Sequence, residues 1–196
     1  DVKSLINLIG ERQFIDRLNA GFATSEKVSF NALGDNMGAY PINHGNETNM
    51  QAAYLFSYTS EPWHTQKWAR AIQEKYYGMG PRDAYPGDED QGQMSSWYIL
   101  SSIGLFQMDG GCSKDPVWLL GSPRFDRVEI LLDNTYYSGK KLIIKAENVS
   151  KDNCYIQYVR FNNKRLSNNY IEWSKLKKGG TLHFIMGDRP NPNAFK

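Results

Sequence analysis

Two acidic turns carry the residue types best suited to chemistry in this 196-residue chain. In PGDEDQGQMSSW, residues 86–97, the consecutive carboxylates Asp88, Glu89 and Asp90 precede an apolar segment with helical spacing. Helix N-terminal amides favour the ionised carboxylate and so lower its pKa, which suits a general base; a general acid needs an apolar pocket that raises it. Asp88 and Asp90 can both point to one water, while Glu89 points elsewhere. The same run also reads as a plain helix start, with Asp90 as N-cap and Gln93 at the third helical position. In HGNETN, residues 44–49, Glu47 is a hard oxygen ligand, Asn46 offers a side-chain or backbone carbonyl, and Gly45 permits a sharp turn. That set fits calcium, although its spacing matches no EF-hand loop. A Glu at a helix start also serves simply as a cap.

Other chemistries find little support. His44, His64 and His183 are too scattered for a zinc triad, and no GxSxG elbow is present. Cys112 and Cys154 lie outside any CxxC pattern, which excludes a zinc ribbon and leaves one disulfide open. The Asn46 and Asn148 tripeptides match the glycosylation sequon, a pattern frequent by chance, and a sugar on Asn46 would block the proposed cation site. Trp63, Trp68, Trp97 and Tyr98 can stack on sugar rings or pack in a core. The net charge of +2 comes without a basic block, so neither nucleic acid nor a membrane surface is an expected partner. No apolar run approaches the roughly 20 residues of a membrane span. The charge is uneven, however: residues 1–110 hold 8 Lys+Arg against 13 Asp+Glu, and residues 111–196 hold 15 against 8. This asymmetry fits two separately solvated surfaces, or acids of the first half converging on a cation.

The elements that must position these turns fall into two halves, 1–110 and 111–196. In the first, Leu5, Ile6 and Ile9 share a helical face, and Phe14, Ile15, Leu18 and Phe22 make a second helix after Gly10. A third helix is expected near Ser60 as cap, with Glu61 and Pro62 in its first turn and Trp68, Ala69, Ile72 and Tyr76 buried. A fourth, from about Gln91 to Phe106, carries apolar residues almost all round and is expected to be buried. The opening DVKSLINLIG reads as mid-helix, with a true N-terminus and any secretion signal removed. Long Gly/Asn/Pro/Asp stretches at 31–48 and 78–90, rich in turn and capping residues, are of the kind that is either functional or disordered. After Gly110–Gly111, the runs VWLL, RVEILL, KLIIKAENV, YIQYVRF, YIEW and TLHFIM read as strands joined by GSP, DN, SGK, NNK and KKGG turns. The expected class is α+β, helices first and an antiparallel sheet or sandwich second.

Taken in order, these segments resemble the C-terminal portion of glycoside hydrolase family 92, the calcium-dependent α-mannosidases. DVKSLINLIGERQFIDRL resembles the stretch that follows the family's general acid, HGNET its GNEP segment, EPWHTQKWAR its PWKTQ segment, and PGDEDQGQMSSWYILSSIGLFQM its most diagnostic run. LLGSPRFDRVEI, IIKAENVSKDNCYIQYVRFNNKRL and GGTLHFIMGDRPN resemble its closing strands. The resemblance implies part of an (α/α) barrel followed by β structure, and an inverting mechanism in which an acid and a base about 6.5–9.5 Å apart flank the glycosidic bond. It implies Asp90 as the base that activates water, Asp88 as its companion, Glu47 and Asn46 as calcium ligands, and His44 and Asn46 as substrate contacts. It further implies a mannose-containing glycan and the rest of a parent chain as partners, a secreted, periplasmic or cell-surface location, and a general acid upstream of Asp1. Thr48 stands where the family has Pro and His64 where it has Lys. Another helical-barrel glycosidase or phosphorylase, or a non-catalytic carbohydrate-binding module, shares much of this pattern.

Overall fold

The computed structural model describes residues 1–32, 36, 38–84, 87 and 89–196. Internal contacts divide the chain into two compact units, Asp1–Ile99 and Leu100–Lys196. The α+β class is as expected.

The first unit is helical. α1 (Val2–Ile9) starts on Asp1, whose Oδ1 accepts from the amides of Lys3 (3.0 Å) and Ser4 (3.4 Å). Gly10, at φ +89°, breaks the chain between α1 and α2 (Glu11–Ser25). After a short α3 (Glu47–Met50) and a 3-10 segment (Ala52–Tyr58) comes α4 (Trp63–Lys75). α4 starts three residues after Ser60, because the preceding turn is held otherwise: Glu11 Oε1 takes the Ser60 amide at 2.6 Å and Thr59 Oγ1 takes that of Glu61 at 3.1 Å. Its buried stripe of Trp68, Ala69, Ile72 and Tyr76 is the expected one. Phe22 stacks on Trp68 at 5.2 Å and meets Phe56 and Phe30, and Trp68 Nε1 donates to Asn19 Oδ1 at 2.7 Å. Aromatic packing of this kind, with the indole N–H satisfied, makes a stable core.

α5 (Gln93–Ile103) is shorter than the apolar run suggests and is not buried all round: Met94, Trp97, Ser101 and Ser102 are enclosed, whereas Ile99 is 59% exposed. Gly104, at φ +82°, ends it and packs where a Cβ would lie 3.0 Å from Pro123, so the chain turns directly into a strand.

The second unit holds two sheets. β1 (Leu105–Phe106), β2 (Val117–Leu120) and β7 (Tyr170–Glu172) pair antiparallel in the order β1-β2-β7. β3 (Arg127–Leu131), β4 (Lys141–Glu147), β5 (Tyr155–Phe161), β6 (Lys164–Arg165) and β8 (Gly180–Gly187) form the second, in the order β3-β4-β8-β5-β6. Its pairs are antiparallel except β4–β8, which run parallel from Leu142↔Gly180 to Glu147↔Ile185. Alternation along a strand is the same for either direction, so the pattern alone does not reveal this pair. A one-residue slip between Ile156 and Tyr158 bends β5, and the fourth residue of YIEW begins α6 (Trp173–Leu176). The alternate residues Leu142, Ile144 and Ala146 of β4 and Leu182, Phe184 and Met186 of β8 face one cluster with Leu105, Leu120 and Ile171 of the smaller sheet. Full burial of each large side chain there contributes about 1.5–3 kcal/mol. No disulfide joins Cys112 to Cys154.

Candidate functional site

The two acidic turns meet within the first unit, at a contact between glycines. A Cβ on Gly87 would lie 3.0 Å from the Gly45 Cα, 2.8 Å from Met94 Sδ and 2.9 Å from Tyr76 Oη; one on Gly45 would lie 2.5 Å from the same hydroxyl. Both positions therefore exclude a side chain. Gly45 lies in the tight turn expected of it, where the Asn46 amide donates to the Asn43 carbonyl at 3.1 Å, and its missing Cβ is what admits the contact.

Asn46 is the N-cap of α3, and its Oδ1 accepts from Thr48 N (3.3 Å) and Thr48 Oγ1 (2.9 Å). Glu47 follows in the first helical turn. The Asn43 carboxamide ties the approach, donating to the Ala32 carbonyl (3.0 Å) and accepting from the Gly45 amide (3.2 Å). Opposite, Asp90 is fully exposed and its carboxyl shares a hydrogen bond with that of Glu47, which raises the Asp90 pKa above the usual carboxylate range. This reverses the expected direction: a neighbouring like charge governs Asp90, not the amides of α5. Asp88 lies outside the described residues.

The amides of α5 are served by Glu89 instead. Its Oε2 accepts from Ser95 N (3.3 Å) and its carbonyl from Gln93 N (3.0 Å) and Met94 N (3.4 Å). Asp90 is thus not the capping residue. Glu89, Asp90, Gln91 and Gly92 have φ of 67°, 38°, 62° and 86°, a full left-handed turn. Each non-glycine residue in that conformation costs roughly 1–2 kcal/mol, and such strain persists only where surrounding contacts over-determine it.

His44, an expected substrate contact, is wholly enclosed. Its ring meets Trp97 at 4.3 Å and Tyr76 at 4.9 Å, and its Nε2 lies 2.8 Å from the Tyr77 hydroxyl. Tyr77 donates to the Met94 carbonyl at 3.1 Å, so its oxygen accepts from His44 and the histidine proton sits on Nε2. Burial pushes the His44 pKa down to about 3 and that of the Tyr77 phenol up. Trp97, beneath both turns, donates through Nε1 to the Met50 carbonyl at 2.8 Å. His44 and Trp97, both buried, therefore form the floor that fixes α3 against α5. Trp68 likewise belongs to the core. Tyr98 differs: with Tyr77, Gly78, Ala84, Ser95 and Ile99 it lines a cavity of about 280 Å³. Length and polarity gave no signal of that cavity, since its walls come from three separate segments. Among the described residues, no three His, Cys, Asp or Glu side chains converge as a metal-binding group.

The model of the glycosyl hydrolase family 92 catalytic domain matches residues 1–188. The chain therefore belongs to this family. A family GH92 alpha-mannosidase from Bacteroides thetaiotaomicron is 31% identical, with a TM-score of 0.83 over 99% of this chain and 24% of that one. A family GH92 inverting mannosidase from Bacteroides thetaiotaomicron VPI-5482 is 30% identical, with a TM-score of 0.79 over 100% of this chain and 27% of the other. Among curated proteins, a secreted glycosidase of uncharacterised activity from Arthroderma benhamiae is 28% identical over 95% of this chain and 22% of its own length. The chain thus spans about a quarter of the length of these proteins. Among the described residues, no helix is long and apolar enough to cross a membrane.

Proposed function

We propose that this chain supplies the water-activating side of an inverting α-mannosidase site. The observation that carries the reading is the meeting of Glu47 and Asp90, two carboxyls from separate turns held together over the Gly45–Gly87 contact. Family membership and the mannosidase names of its solved relatives point the same way.

Asp90 is fully exposed, which leaves its carboxylate accessible to a water. It takes the proton of that water as the oxygen attacks the anomeric carbon, with Asp88 as companion carboxylate. The paired acids also suit calcium, whose hard oxygen ligands they are; Glu47 would hold the ion, and Asn46 would add an oxygen by giving up one of its Thr48 donors. Bound there, calcium would offset the paired negative charge and hold sugar hydroxyls. Protonation of the leaving oxygen falls to a carboxylic acid outside these residues, so the 196-residue chain alone is expected to turn over α-mannosides barely or not at all. The helical unit is read as part of an (α/α) barrel and the protein as acting outside the cytoplasm, in keeping with its secreted relative.

The test is Asp90→Asn in a full-length family enzyme carrying this segment, with mannose release as the readout. A fall of about 10²–10⁴ in kcat is expected for loss of the base. An unchanged rate would leave the acidic turn a structural feature only.

A further inference from the structure

One face of the five-stranded sheet carries a feature that the catalytic reading does not use. Strand register pairs Arg127 with Lys145, Lys145 with His183, His183 with Arg160, and Arg160 with Arg165. Directly paired residues project to the same side of a sheet. A single row crossing β3, β4, β8, β5 and β6 is therefore basic from edge to edge, about 19 Å long at the usual strand spacing of ~4.8 Å. Arg127, Lys145, Arg160 and Arg165 are exposed and His183 is half-buried, while their neighbours Ile144, Leu182 and Val159 face the core on the opposite side. No basic block exists in the linear sequence, because each strand contributes one member.

Like charges set directly opposite one another work against folding. The chain answers only part of this. Glu129 pairs with Arg127, and Glu147 Oε1 lies 2.9 Å from His183 Nε2, an ion-pair distance at an angle that makes no hydrogen bond. Arg160 and Arg165 share the Tyr158 ring, 4.9 and 5.4 Å from its centroid. Among the described residues, no carboxylate lies at ion-pair distance from Lys145 or Arg160. Beside these two lies a cavity of about 310 Å³ lined by Lys145, Asn162, Asn163, Thr181 and His183. Asn162 and Asn163 hold the two left-handed positions of the β5–β6 hairpin, and Asn162 Oδ1 accepts from Thr181 N at 2.8 Å, leaving its NH₂ as the remaining polar group.

We propose that this row and its cavity bind a glycan bearing negatively charged groups. Lys145, Arg160 and His183 take the anionic oxygens; the carboxamides and the Thr181 hydroxyl take sugar hydroxyls. Carboxamides and a hydroxyl beside the charges favour a sugar over a bare polyanion, and the site lies wholly within the second unit.

Binding of the 196-residue chain to dextran sulfate, unsulfated dextran and a single-stranded DNA of equal charge tests the proposal. The sulfated polymer should bind roughly tenfold more tightly than either of the others, and more weakly as salt rises. Lys145→Ala with Arg160→Ala should weaken that binding roughly tenfold. Lys177→Ala with Lys178→Ala, which removes the same charge away from the row, should leave it nearly unchanged. Equal losses in the two double variants, equal binding of neutral dextran, or DNA binding as tight as dextran sulfate overturns the proposal. Circular dichroism checks folding, and the single Lys145→Gln variant gives the same comparison if the double variant unfolds.

Discussion

A carboxyl beside another carboxyl holds its proton more tightly, and this local rule decides how Asp90 behaves. The acids themselves were legible, because Glu47 and Asp90 stand in turn-rich stretches at helix starts. Their partnership was not, since nothing in either stretch of sequence specifies that Gly45 and Gly87 lie in contact. That contact gives a direct prediction: Gly87→Ala places a methyl against Met94, Tyr76 and Gly45, and such overpacking should cost about 1–3 kcal/mol, read as a lower Tm. His44 gives another. Its folded pKa of about 3 lies below the unfolded value near 6.5, so the unfolded chain binds the extra proton as pH falls. The stability due to neutral His44 is complete above about pH 6.5 and is lost toward pH 3, at up to about 1.4 kcal/mol per pH unit. Denaturant unfolding across this window should show the loss, and His44→Phe should flatten it.

Elements followed the sequence where hydrophobic period was decisive and departed from it where side chains competed for backbone amides. The β5 run matched its strand residue for residue, and Gly10 divided α1 from α2 as its position suggests. The start of α4 moved because Glu11, distant in sequence, captured the Ser60 amide. At α5 the cap passed from Asp90 to Glu89, whose carboxylate reaches Ser95 N. Glu89→Gln keeps an acceptor but loses the charge that favours a helix N-terminus, and should lower stability by about 0.3–1 kcal/mol at low ionic strength, with the difference shrinking as salt is added. A melting series in sodium chloride measures this.

For the whole molecule, composition and the change of period were enough to read helices followed by a sheet. Strand order was not readable, because the parallel β4–β8 pair depends on a crossover through three intervening strands. The uneven charge proved informative in both halves: acids of the first meet at Glu47 and Asp90, and bases of the second align across the sheet. The second unit's stability rests on its apolar cluster, where Phe184 is fully buried at the centre of β8. Phe184→Ala should cost about 3–5 kcal/mol in urea unfolding, whereas Tyr136→Ala, at a side chain 79% exposed, should change little.

The backbone at 89–92 winds in the sense that mirror-image amino acids prefer. Chirality, which elsewhere reinforces the chain's conformation, here opposes it. A semisynthetic protein with D-glutamine at position 91 would match this backbone better than the natural L residue does.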